Sequence, residues 1–228
     1  LNMTEELIAG IDEAGRGAVI GPLIIAGVSM DPDKENLLRK AGVRDSKLVT
    51  QNRRVKLAKL IEKHAKDVIV INVDACRIDT YRQQGINLNQ IEAMKFVDAL
   101  DYLEAKKAYV DSPDVKPDRL KQLLDKLTRG NTDLVVEHKA DHKYTVCAAA
   151  SIIAKVAREE EIDKLKKKYG DFGPGYSSND KTIAWMRDWL SRNKEYPDIV
   201  RRTWITSDTI KAEKDQKKLS SWLCKKKD

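Results

Sequence analysis

Apolar positions along this chain switch repeatedly between runs that suit strands and spaced faces that suit helices. Residues 7–11 form a short apolar run, broken by Gly15-Arg16-Gly17, and residues 19–28, rich in Ile and Val, form a second. So short a glycine link predicts an antiparallel pair rather than a crossover. Thr50 precedes an amphipathic helix with Val55, Ala58, Ile61 and Ala65 on one face, and a third strand is expected over 68–73. Asn87 or Asn89 can cap a helix reaching about Glu104, and residues 108–111 read as a short buried strand. Pro117 suits the first turn of a helix whose Leu120, Leu123, Leu124 and Leu127 face inward, and residues 134–138 suit another strand. A long helix follows from about Lys143 to Tyr169, stopped by Gly170. Its alanines (Ala148, Ala149, Ala150, Ala154) permit close packing on a sheet, while Lys164, Lys166, Lys167 and Lys168 mark a solvated face.

Three early strands followed by alternating helix and strand predict an α/β architecture. The pattern predicts a main α/β domain over 1–169, a tryptophan-rich helical C-terminal cap over 170–212 packed on it, and a basic tail over 213–228. No apolar run approaches the roughly 18 residues of a membrane span, and no basic segment leads into an apolar stretch at the start, so no secretory leader is expected. Cys76, Cys147 and Cys224 are too scattered for a disulfide framework or a zinc pattern, which fits a cytoplasmic protein with free thiols. The net charge is +7, and from Lys211 onward seven lysines face three acids, so more than half of the excess lies at that end. A basic chain is attracted to polyanions, nucleic acid first among them, although charge alone discriminates poorly.

The candidate chemistry is carboxylate chemistry. Asp12 and Glu13 end the first apolar strand, Asp111 ends the strand over 108–111, and Asp141 follows the strand ending at His138. Acids at strand ends are often solvated and loop-facing, but strands that lie side by side would bring these together. Adjacent strand residues point to opposite faces, so Asp12 and Glu13 share a site only if the chain turns at Glu13. A cluster of such acids binds Mg²⁺ or Mn²⁺, which prefer oxygen ligands. Two such ions about 4 Å apart activate water and stabilise the leaving oxygen of a phosphodiester.

The stretch Gly10-Ile11-Asp12-Glu13-Ala14-Gly15-Arg16-Gly17, followed by Gly21-Pro22, resembles the opening signature of the type 2 ribonuclease H family, most similar to its archaeal members. Arg44-Asp45-Ser46-Lys47 resembles its second motif and Tyr109-Val110-Asp111 its third. His138-Lys139-Ala140-Asp141 with residues 148–158 resembles the fourth, and Gly173-Pro174-Gly175-Tyr176 the fifth. The resemblance implies a ribonuclease H-like fold with a central five-stranded mixed sheet flanked by helices. It also implies an endonuclease that hydrolyses the RNA strand of RNA/DNA hybrids and cuts 5′ of ribonucleotides embedded in duplex DNA, in primer removal and repair. Asp12, Glu13, Asp111 and Asp141 then hold the catalytic Mg²⁺ or Mn²⁺, two ions per site. Gly15, Arg16, Gly17 and Tyr176 read the ribose 2′-hydroxyl, and Ser46 and Lys47 contact phosphate. Asp114 is passed over for the third acid because it lies beyond Pro113 in the loop. Ala18, Leu48 and Ser177 depart from the family pattern but remove no ligand.

Rival readings are weaker. The glycines at 15, 17 and 21 are followed by a β-branched run rather than the helix N-terminus that a phosphate loop needs. His138 ends a strand, so His138 and His142 would not share a helical face for zinc. A catalytically reduced nucleic-acid-binding scaffold of the same fold would be expected to lack one of the acids, and all four are present. In the tail, Gln216, Leu219, Trp222 and Leu223 resemble the box by which replication and repair proteins bind the sliding clamp, with aliphatic Leu223 departing at the eighth place. On a helical turn residues 219, 222 and 223 project together. The alternative is that Trp222 docks on the protein's own core.

Overall fold

The computed structural model describes residues 6–44, 49–129 and 132–224, with the side chains of 217–224 excepted. A five-stranded sheet has the order β3-β2-β1-β4-β5, from β1 (Ile8–Ala14), β2 (Leu23–Met30), β3 (Asp67–Val73), β4 (Lys107–Asp111) and β5 (Asp133–Glu137). The first two strands are antiparallel, as the short link predicts, while β1–β4 and β4–β5 are parallel. The sheet is therefore mixed, with helices supplying the crossovers between parallel strands. Among the described residues no helix is long and apolar enough to cross a membrane.

The chain divides into two compact units. The first comprises Leu1–Arg16, Leu23–Asn72 and Asn87–Glu159 and contains the sheet. Against the sheet packs the start of α7 (Thr145–Tyr169), whose Ala148, Ala149, Ala150 and Ala154 are fully buried. The approach is so close that a Cβ on Gly10 would lie 2.3 Å from the Val146 carbonyl carbon and oxygen. Only glycine allows helix backbone and strand to meet there. Helix α4 (Leu88–Leu103) begins with a full capping box, Asn87 Oδ1 accepting from the Gln90 amide and Gln90 Oε1 from the Asn87 amide, which settles the choice of cap in favour of Asn87. Helix α5 (Pro117–Leu127) starts at the proline and buries Leu120 and Leu124, while Leu127 is exposed. Helix α2 (Gln51–His64) follows Thr50 and buries Leu57, Ala58 and Ile61.

Beyond the single turn of α6 (Ala140–Lys143), two helices depart from the sequence-based expectation. In α1 (Pro32–Ala41) a single residue, Leu38, is buried, so the polar sequence carries almost no face to detect. In α3 (Ala75–Gln83) the buried residues are Ala75, Ile78 and Asp79, and an acid on the buried side hides the pattern. A further difference concerns the apolar run over 19–28. Only its second half is strand, because Gly21 is left-handed (φ 91°) and Pro22 has no amide to donate to a ladder.

Residues 17–22 instead belong to the second unit, with Val73–Ile86 and Glu160–Asp228. There the Val19 and Ile20 amides donate to the Gly175 carbonyl (2.8 and 3.0 Å), and isolated bridges pair Ala18 with Tyr176 and Ile20 with Val200. Its core joins Val19 and Ile20 to Phe172, Met186, Leu190 and Val200, with α8 (Asp180–Arg192) contributing stacked Trp185 and Trp189. Buried Asp79 accepts from the amides of Arg202 (2.7 Å) and Thr203 (3.0 Å), fixing the turn that leads to α9 (Ile205–Cys224). Fully buried Arg201 donates to the Gly21 carbonyl (3.1 Å) and lies over the Trp204 ring.

Candidate metal centre

Parallel pairing of β1 with β4, in register from Ile8↔Lys107 to Ile11↔Val110, sets Asp12 and Asp111 at the same level of adjacent strands. Asp141 arrives after the end of β5, the strand next to β4. The chain turns through Lys139, which adopts left-handed φ 57°, into a single helical turn, α6 (Ala140–Lys143), that carries it. One carboxylate oxygen from each of Asp12, Asp111 and Asp141 lies within 4.8 Å of the others. Asp12 and Asp141 are buried, and Asp111 is partly so.

Backbone amides orient the acids. The Glu13 amide donates to Asp12 Oδ1 (2.7 Å), and the Ala140 amide donates to Asp111 Oδ1 (2.9 Å). Burial pushes the Asp12 carboxyl up to about 7, and neighbouring Asp111 pushes it the same way, against the opposing pull of the Lys155 charge and a hydrogen bond from Ser151. Lys155 in turn donates to Ser151 Oγ (2.6 Å), one helical turn earlier on α7. Carboxylates that repel one another in a desolvated place lack positive charge, and hard divalent cations take such oxygens. The donor set therefore fits a divalent metal ion.

Glu13 is placed differently. Strand β1 runs straight through it to Ala14, so the turn that would aim Glu13 beside Asp12 does not occur at Glu13. The break comes at Gly15, with φ 86°. Glu13 is half-buried and stands outside the three-aspartate group. It is nevertheless close enough to feel it: desolvation first, then Asp12 and Asp111, hold its carboxyl well above the usual range, with Arg16 opposing.

Ser151 and Lys155 were not singled out from the sequence. The available signal was a polar pair four residues apart on a helix segment otherwise built of alanine, isoleucine and valine. His138 and His142 do not join a metal group. The ring nitrogens of His138 lie 3.3 Å from the carbonyl oxygens of Ser112 and Val115, bracing the loop after β4. His142 Nε2 stands 3.7 Å from Asp141 Oδ1. Asp114, passed over as a ligand, caps the same loop by accepting from the Lys116 amide (3.0 Å). Cys147 is buried with its thiol on the Ile11 carbonyl (3.3 Å), and burial holds that thiol well above its ordinary range.

Of the residues expected to contact substrate, Gly17 is exposed and Tyr176 half-buried, whereas Ser46 and Lys47 lie outside the described residues. In the tail Gln216 is exposed on α9, and the side chains of Leu219, Trp222 and Leu223 lie outside the described residues.

Residues 9–207 match the family described as Ribonuclease HII. The chain belongs to the ribonuclease HII family. Ribonuclease HII of Pyrococcus furiosus is 43% identical over 224 residues, spanning 96% of this chain and 99% of that protein. Among solved structures, ribonuclease H2 from Pyrococcus horikoshii superposes with a TM-score of 0.85 at 43% identity, covering 91% of this chain and 98% of that one. The PCNA:RNase HII complex from Archaeoglobus fulgidus gives 0.80 at 45% identity, covering 87% and 95%. Ribonuclease HII membership and the acid cluster agree: the protein is a metal-dependent ribonuclease H endonuclease.

Proposed function

We propose that this ribonuclease HII hydrolyses the RNA strand of RNA/DNA hybrids and cuts on the 5′ side of ribonucleotides embedded in duplex DNA, leaving a 3′-hydroxyl and a 5′-phosphate. The observation that carries the reading is the convergence of Asp12, Asp111 and Asp141 from β1, β4 and α6. These three acids hold the ions, Mg²⁺ or Mn²⁺, and Glu13, outside their group but close enough to feel Asp12 and Asp111, is the fourth ligand if an ion draws it in. Two ions about 4 Å apart would supply an activated water and stabilise the leaving 3′-oxygen. The protein's own part is orientation: the Glu13 and Ala140 amides fix Asp12 and Asp111, and Lys155 with Ser151 offsets the Asp12 charge. All four acids are present, and nothing favours a catalytically reduced scaffold.

The 2′-hydroxyl distinguishes RNA from DNA at a single nucleotide, and its reading is assigned to Gly15, Arg16, Gly17 and Tyr176. Two observations support this. A Cβ on exposed Gly17 would meet nothing within 4 Å, so packing does not demand glycine there, whereas close approach of a substrate would. The backbone bridge between Ala18 and Tyr176 ties the tyrosine to the residue after that turn. Cleavage of a duplex carrying one ribonucleotide, with Mg²⁺ or Mn²⁺, tests the reading. A product cut 5′ of the ribonucleotide is expected, and an inert enzyme with both ions would overturn it.

A cytoplasmic role in replication and repair follows from that substrate, with the tail binding a sliding clamp through Gln216, Leu219, Trp222 and Leu223. The Archaeoglobus relative was solved as a complex with PCNA, and exposure of Gln216 on a helix suits the same use here. The lysines around the motif would speed encounter with an acidic rim.

A further inference from the structure

Glu92 is fully buried at the start of the second turn of α4, between buried Ile91 and Ala93, where a carboxylate is costly unless paired. Its partner is the guanidinium of Arg16, whose side chain is 31% exposed against 0% for Glu92. The same guanidinium donates through Nη2 to Asn89 Oδ1 (2.7 Å), and the Asn89 amide donates to Asp114 Oδ2 (2.9 Å). Ser112, next to Asp111, donates through Oγ to the Asp114 carbonyl (3.3 Å). One chain of polar contacts thus joins the turn after β1 to the loop after β4, and each of those strands carries a metal-site aspartate.

Stability gives no reason for this arrangement, since apolar residues of similar volume commonly replace a buried ion pair at no cost. Geometry does. A guanidinium is a rigid planar fork, so committing it to Glu92 and Asn89 fixes Arg16 in place and orientation. Gly15, left-handed at φ 86°, turns the chain out of β1, and the fork anchors the next residue.

We infer that Glu92 is a positioning residue for substrate recognition: through Arg16 it holds the Gly15-Arg16-Gly17 turn so that backbone, rather than the arginine side chain, is offered to the nucleic acid. The inference rests on the proposed reading of the ribose by that turn. Arg16 is then a strut, and its charge is spent inside the protein instead of on a phosphate.

The test compares Glu92→Leu, Arg16→Met, Arg16→Lys and the double variant Arg16→Met/Glu92→Leu on a duplex with one ribonucleotide, measuring KM and kcat at several salt concentrations. Each single variant should raise KM, by up to about 10²-fold for a turn displaced by an ångström. kcat at saturation should change far less. Arg16→Lys should fare like Arg16→Met, because an ammonium cannot form the fork. The double variant, which buries an apolar pair and keeps the inference testable if a single variant misfolds, should show the same defect rather than the product of two. The slope of log KM against log salt should not change.

If Arg16 instead binds phosphate directly, Glu92→Leu releases it and lowers KM, while Arg16→Met reduces the salt slope by about one. Either result overturns the inference. So does a lowered melting temperature with KM unchanged, or a wild-type KM in Arg16→Lys. Gly17→Ala separates this from the underlying reading. If Gly17→Ala is impaired while the Glu92 variant is normal, only the positioning role fails. If Gly17→Ala cuts the single ribonucleotide as wild type does, the turn does not read ribose and the inference falls with it.

Discussion

Asp12 and Glu92 are both buried carboxylates of the same compact unit, and their surroundings are opposites. Glu92 faces a guanidinium, an opposite charge supplied by the protein itself. Asp12 faces Asp111 and Asp141, and even with Lys155 and Ser151 nearby the balance leaves its carboxyl raised to about 7. An acid paired with an opposite charge marks scaffold, whereas acids that repel one another at a fixed, amide-oriented cluster mark the place where an ion from outside completes the structure. Burial alone would have treated the two acids as equivalent.

The comparison breaks most visibly at the metal cluster. Asp141→Asn should keep the fold and substrate binding but lower kcat on the order of 10³-fold, since an ion's stabilisation of transition-state charge is worth several kcal/mol. Near wild-type turnover at saturating Mg²⁺ or Mn²⁺ would remove Asp141 from the site.

Next in size is Tyr176→Ala, which should reduce kcat/KM on the single-ribonucleotide duplex roughly tenfold to hundredfold, the effect of losing one stacking or hydroxyl contact of about 1–3 kcal/mol. Equal cleavage by variant and wild type would leave Tyr176 a structural residue.

Stability should respond in the opposite sense from activity. The Asp12 carboxyl is raised from 3.8 to about 7 in the folded protein, so between those values the folded state holds more proton than the unfolded one. Without metal, its contribution to stability is therefore greatest below pH 4, falls as pH rises, and levels off above about 7. The total change is at most on the order of 4 kcal/mol. Asp12→Asn removes the repulsion, so in chelator it should melt higher than wild type at pH 8, at about 2–4 °C per kcal/mol gained. The gap should close towards pH 4. A variant that melts lower than wild type at pH 8 would show that Asp12 is already compensated.

The smallest effect on chemistry belongs to the tail. Truncation after Asp215 should leave cleavage of free duplexes unchanged yet abolish clamp binding, with Trp222→Ala close behind. Calorimetry showing unchanged clamp affinity in both would refute the motif.

Much of this was legible in the chain itself, for identifiable reasons. β-branched runs gave β3 and β5, the short apolar stretch ending at Val110 gave β4, and the alanine row on α7 foretold its contact with the sheet, which Gly10 makes possible. Asp12 and Asp111 meet because β1 and β4 pair in parallel, and Asp141 joins them from the turn of helix after β5, tertiary facts that no local pattern contains. The apolar run over 19–28 looked continuous because hydrophobicity does not register that Gly21-Pro22 interrupts a ladder, and so it concealed a segment that joins Gly175 and Tyr176. A turn at Glu13 was the condition for its sharing a site with Asp12, but the strand persists one residue further and the turn falls at Gly15. Glu92 gave no sign at all, since a lone acid among apolar helix residues reads as exposed until its partner 76 positions earlier is known.

Whether Asp12, Asp111 and Asp141 together form the metal site can be read from calorimetric titration with Mn²⁺. Wild type and the three single Asp→Asn variants would be titrated near pH 7, with circular dichroism confirming the fold of each. Every variant should bind Mn²⁺ at least about tenfold more weakly than wild type, a loss of roughly 1.4 kcal/mol, and cleave a single-ribonucleotide duplex poorly. Wild-type Mn²⁺ affinity in any one of the folded variants would contradict a shared site.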